Sequence, residues 1–118
     1  MSLRSEPFDP DAALDRFQSA WSAETSTRYS PATPARGQCG VTALVVQLIH
    51  GGTIEQTVVG DEAHFYNRID GERYDLTAGQ FDDAPEYRDV PVTREAALTD
   101  TTTEQYATLL RRYRALLD

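Results

Sequence analysis

Lysine is absent from the chain. Its 118 residues include 11 bases, all arginine, against 19 acids, for a formal net charge of −8. So acidic a chain offers no electrostatic footprint for nucleic acid or an anionic membrane, and neither is expected as a partner. Without lysine the chain has no side-chain amine to act as an acyl acceptor, which argues against self-cross-linking. Cysteine occurs once, at position 39. An internal disulfide is therefore impossible, and this usage fits a reducing cytoplasm. No run approaches the ~18 apolar residues of a membrane-spanning helix. The stretch Met1–Glu6 lacks the hydrophobic core of a signal peptide. There is no repeat, no glycine-rich phosphate loop and no paired spacing of metal ligands, so neither a metal nor a cofactor is expected.

What is present describes one ordinary globular domain over residues 1–118, with 40% apolar and 25% charged residues. Residues 1–9 read as an exposed tail. Asp9-Pro10 is a helix start, and Ala13, Leu14, Phe17, Ala20 and Trp21 then share one face of a helix ending near Glu24. A polar, twice proline-interrupted loop over 25–38 delivers the chain to Cys39, where an apolar run predicts a buried helix over about 39–49. His50 follows as a helix-end residue suited to the dipole. Thr53–Gly60, Ala63–Ile69 and Glu72–Leu76 read as three antiparallel strands. A short helical turn follows at Thr77–Phe81, then a solvated acidic loop over Asp82–Glu86. Val90-Pro91-Val92 is extended, Thr93 caps a short helix, and Thr103–Leu117 forms the last helix. The fold class is α+β: an N-terminal helix, a Cys-bearing buried helix, a three-stranded antiparallel sheet and a C-terminal helix.

The chain is organised around Gly37-Gln38-Cys39-Gly40. A cysteine at a helix N-terminus meets unpaired N–H groups and the positive end of the dipole, which favour the thiolate. Asp70-Gly71 is a strong two-residue hairpin signal. It sets Ile69 opposite Glu72, Arg68 opposite Arg73, Asn67 opposite Tyr74 and Tyr66 opposite Asp75. His64 and Asp75 are then diagonal neighbours on one face, with Cβ atoms roughly 5–8 Å apart. Cys39, His64 and Asp75 supply a nucleophile, a base and an orienting carboxylate, the parts of acyl transfer through a thioester to water or an amine. The Cys39 N–H can donate to an oxyanion, and Gln38, Trp21 or Tyr66 are candidates for a second donor or for substrate binding. The plainer alternatives are a buried apolar cysteine, a core tryptophan, a satisfied strand histidine and an aspartate that caps the next turn.

Gly37-Gln38-Cys39-Gly40-Val41-Thr42-Ala43 resembles the active-site motif of transglutaminases, Gly-Gln-Cys-Trp-Val-Phe-Ala, with Gly40 in place of Trp. His64-Phe65-Tyr66-Asn67 and Asp75-Leu76-Thr77 resemble the stretches around their catalytic His and Asp. The resemblance covers Cys39 to Gln80 and implies a minimal papain/transglutaminase-like core, with Cys39 as nucleophile, His64 as base and Asp75 as orienting acid. Across the whole chain, the pattern is similar to the YunG-like family of uncharacterised bacterial proteins. The shared features are Trp21-Ser22 with Thr25, Gly-Gln-Cys, a Gly-Gly turn, His-x-Tyr-Asn and Asp75-Leu76-Thr77 with Gln80-Phe81. The expected function is a cysteine hydrolase or acyltransferase acting on a peptide or small amide. The alternatives are a non-catalytic module that binds a peptide or small molecule in the same cleft, and an interaction protein using its acidic face. Oligomeric state does not follow from the sequence.

Overall fold

The computed structural model describes residues 6–117. The first five residues of the expected tail lie outside that range. The remainder is placed against the fold: the Glu6 N–H donates to Ile49 O at 3.0 Å, and the Phe8 ring meets His50 and Tyr74 edge-on, with centroids 5.0 and 4.8 Å away.

Helix α1 (Pro10–Ala20) begins where Asp9 Oδ1 accepts the Asp11 and Ala12 N–H groups at 3.1 and 3.3 Å, with proline in the first turn. It buries Ala13, Phe17 and Ala20 and stops before the expected Glu24. Trp21 leaves helical geometry (ψ 140°), and Ser22 and Thr25 take over the backbone: Ser22 N–H donates to Thr25 Oγ1 at 3.0 Å and Glu24 N–H to Ser22 Oγ at 3.0 Å. Such hydroxyl bonds compete with helical ones and end the element. Helix α2 (Cys39–His50) buries ten of its twelve residues, so packing rather than propensity carries its valines and Ile49. It ends at Gly51, whose φ of 87° suits glycine.

Strands β1 (Thr53–Val59), β2 (Glu62–Ile69) and β3 (Glu72–Tyr74) form a meander. Asp70 and Gly71 have φ of 51° and 82°, the two positive values that a tight primed turn requires. The pairings Ile69–Glu72, Arg68–Arg73 and Asn67–Tyr74 follow. The sheet has four strands, not the three expected. β4 (Val90–Val92) adds antiparallel to β1, giving the order β3-β2-β1-β4. Pro91 is tolerated because β4 is an edge strand. β3 is shorter than expected: pairing ends at Tyr74, and Asp75 lies just past the strand.

The alternation of β2 divides the structure. Phe65, Asn67 and Ile69 face α2, where the Asn67 side-chain amide donates to Ala43 O at 3.0 Å. His64, Tyr66 and Arg68 point to the other face, which the 75–89 segment covers through Phe81, Tyr87 and Asp89. Helices α3 (Arg94–Leu98) and α4 (Thr103–Ala115) complete the domain. Thr102 and Gln105 form a reciprocal cap at the start of α4. Phe17 stacks between Tyr113 and Trp21, at 4.2 and 5.9 Å between centroids, and locks α1 to α4.

Candidate active site

His64 and Asp75 meet. His64 Nε2 lies 2.7 Å from Asp75 Oδ2, with side chains only 3% and 4% exposed. The same Oδ2 accepts the Tyr87 hydroxyl at 2.8 Å, and Oδ1 accepts the Thr77 N–H and hydroxyl at 3.3 and 3.2 Å. Asp75 therefore caps the next turn and orients the imidazole at once. A carboxylate accepts, so Nε2 carries the proton, and Nδ1 is left for another partner. Burial, followed by Asp75, raises the Tyr87 pKa and keeps its hydroxyl a donor. Phe81 packs edge-on against the imidazole, 4.9 Å between centroids.

Cys39 begins α2, as expected, but the electrostatics differ from the expectation. The thiol is not lowered. Burial, and then the Asp100 carboxylate, push it up to about 12, while the Phe65 and Gly40 N–H groups pull in the opposite direction. The site is desolvated enough to outweigh the helix end. Gln38, the N-cap, makes no side-chain cap bond. Asp100, from the α3–α4 connection, takes that place. Its Oδ2 accepts the Gly40 N–H at 3.1 Å and the Cys39 thiol at 3.4 Å. Partial desolvation raises the Asp100 carboxyl in turn. A Cβ on residue 40 would sit 2.5 Å from that Oδ2, so glycine is what admits Asp100.

Cys39 and His64 line one cleft of about 460 Å³, together with Asp100, Gln80, Phe81 and the Arg28–Glu62 ion pair. The ion pair is bidentate, at 3.0 and 2.9 Å, and exposed. β3 stops opposite Asn67, leaving the β2 edge uncovered near His64 and Phe65. There the start of α2, from one face of the sheet, and the imidazole, from the other, reach a common space. Among the described residues no hydrogen bond joins Cys39 to His64; the thiol donates to Asp100 instead.

The three candidate donors lie outside this cleft. Gln38 is fully buried, its Oε1 2.8 Å from the Thr25 hydroxyl and its Nε2 without a partner among the described residues. Trp21 sits in the core and donates its indole N–H to Thr42 Oγ1 at 2.9 Å. The Tyr66 hydroxyl is fully engaged, donating to Asp89 Oδ1 at 2.9 Å and accepting the Asp89 N–H at 2.8 Å. The Cys39 N–H takes no acceptor among the described residues. His50 closes α2, but it sits inside the fold. It is buried between Glu6 O, 2.9 Å from Nδ1, and the Tyr113 hydroxyl, 2.6 Å from Nε2, and burial lowers its pKa. Asp100 and Tyr87 carry no local signal in the sequence; tertiary packing alone brings them in. Among the described residues, no group of three or more His, Cys, Asp or Glu side chains forms a metal ligand set, and no helix is long and apolar enough to cross a membrane.

These features define a small α+β protein with a cysteine at a buried helix start and, sharing its cleft, a histidine held by an aspartate. The YunG protein family matches residues 9–118. The chain is also 47% identical over 90 residues to "Uncharacterized protein YunG" of Bacillus subtilis (strain 168), an alignment covering 76% of this chain and 78% of that protein. The chain belongs to the YunG family. No solved structure matches it.

Proposed function

We propose that the protein is a cysteine hydrolase or acyltransferase acting on an amide through a thioester, on a minimal papain/transglutaminase-like core. The observation that carries this reading is that His64, held by Asp75 through a buried bond of 2.7 Å, lines the same cleft as Cys39 at the start of α2. With Nε2 held by Asp75, His64 Nδ1 takes the thiol proton. The thiolate attacks the amide carbonyl, and the Cys39 N–H donates to the oxyanion. His64 returns the proton to the leaving amine, then deprotonates the water or amine that opens the thioester. The polar lining, with Gln80, Arg28 and Glu62, suits a peptide or small amide.

A second reading, a non-catalytic module binding a peptide or small molecule in this cleft, is favoured by one observation: the thiol is bonded to Asp100, not to His64. Acylation separates the two readings. Incubation with acyl p-nitroanilides and p-nitrophenyl acetate, followed by intact-mass spectrometry, is expected to place one acyl group on Cys39, none in Cys39→Ala, and to slow by about 100-fold or more in His64→Ala, the typical weight of a general base. No acyl group in the wild type, or equal rates with His64→Ala, overturns the enzyme reading.

A further inference from the structure

We infer that Asp100 is a latch on the nucleophile: its carboxylate occupies the space beside Cys39 that a substrate's acyl oxygen must enter, and it must leave before the thiol can turn to His64. This rests on the acyl-transfer reading above. The geometry is specific. One oxygen, Asp100 Oδ2, holds both the Cys39 thiol at 3.4 Å and the Gly40 N–H at 3.1 Å. These groups flank the helix start where an oxyanion would be received. The backbone has been cleared for it, since any side chain at position 40 would collide with Asp100 Oδ2 at 2.5 Å and its Cβ at 2.7 Å. Gly40, in place of the tryptophan of the transglutaminase motif, is therefore the mark of the latch. The carboxylate also opposes ionisation of the thiol beside it.

Asp100 is thus a positioning residue that sets when the thiol is available. It lies between α3 and α4 and remains exposed on its outer side, so a ligand entering the cleft can displace it without unfolding either helix. The charged and titratable groups facing the thiol across the cleft are Asp100, His64, Arg28 and Glu62.

Iodoacetamide alkylation of Cys39 as a function of pH tests the latch. Wild-type protein is expected to react slowly near neutral pH, with a rate that climbs into the alkaline range. Asp100→Ala removes the latch, and Gly40→Ala expels it sterically while keeping its charge and favouring the helix. Both are expected to shift the profile to lower pH and to raise the neutral-pH rate by about tenfold or more, the effect of one pH unit. Asp100→Asn keeps a cap on Gly40 and is expected to fall between the wild type and Asp100→Ala. Circular dichroism melts confirm that each variant is folded. No gain in either Asp100→Ala or Gly40→Ala overturns the latch, whatever the acylation experiment shows. A gain that persists in the His64→Ala, Asp100→Ala double variant upholds the latch and overturns the Cys39–His64 pair.

Discussion

Replacing Asp75 by alanine removes the acceptor for four donors: His64 Nε2 at 2.7 Å, the Tyr87 hydroxyl at 2.8 Å, and the Thr77 N–H and hydroxyl at 3.3 and 3.2 Å. The side chains of His64 and Asp75 are almost wholly shielded, so water does not reach the abandoned imidazole N–H without rearrangement. Two stranded donors cost about 1–3 kcal/mol each, and the lost turn cap about 1 kcal/mol. Neighbours relax and the terms do not add fully, so a total of about 3–4 kcal/mol is expected. For 118 residues, an unfolding entropy of about 2.1 cal/mol/K per residue converts this to a fall in Tm of about 12–16 °C. Asp75→Asn keeps a carbonyl oxygen for His64, and a loss of about 1–2 kcal/mol is expected. Calorimetry gives the Tm values. Urea unfolding of the single and double variants gives the His64–Asp75 coupling, expected at about 1.5 kcal/mol or more. A fall of less than about 4 °C in Asp75→Ala, or coupling below about 0.5 kcal/mol, would refute the buried, mutually dependent pair.

Two further outcomes follow from the core. His50 has a pKa lowered by burial, so the folded state favours the neutral ring. Its contribution is fully present above the unfolded value of about 6.5 and is lost as pH falls below it, because the unfolded chain then binds the extra proton. Urea midpoints should drop between about pH 8 and about pH 5.5 more steeply in the wild type than in His50→Gln; equal slopes would contradict the burial. Trp21→Phe forfeits the indole bond to Thr42 and should cost about 1–3 kcal/mol in urea unfolding. It should leave Cys39 alkylation unchanged, because Trp21 does not line the cleft. Altered alkylation would place Trp21 back at the site.

The local rules of the chain were legible because they need only neighbours. Asp9-Pro10 starts α1, Asp70-Gly71 fixes the hairpin, and that register brings His64 within reach of Asp75 even though β3 stops two residues early. Non-local effects were not legible. β4 joins the sheet by pairing with β1, more than thirty residues upstream. The helix start at Cys39 suggests an acidic thiol, yet burial and a carboxylate from sixty-one residues away reverse it. Asp100, between two threonines in a helix connection, has the sequence of any solvated turn. Trp21 and Tyr66 have polar atoms that could have served a site, and the fold spends both on internal bonds.

Asp100 sits in the α3–α4 connection, its N–H bonded to Ala97 O, and so ties the thiol to α3 and, through the connection, to α4. At its far end the helix is pinned by Arg112, which donates to Ala20 O at 3.1 Å and to Ser22 Oγ at 2.7 Å, and by Arg16, which donates to Leu116 O at 3.1 Å. α4 is thirteen residues long, about 20 Å, and runs from that clamp toward the cleft. Partial opening of the α3–α4 unit, far short of global unfolding, would then be felt first as chemistry at a single sulfur atom.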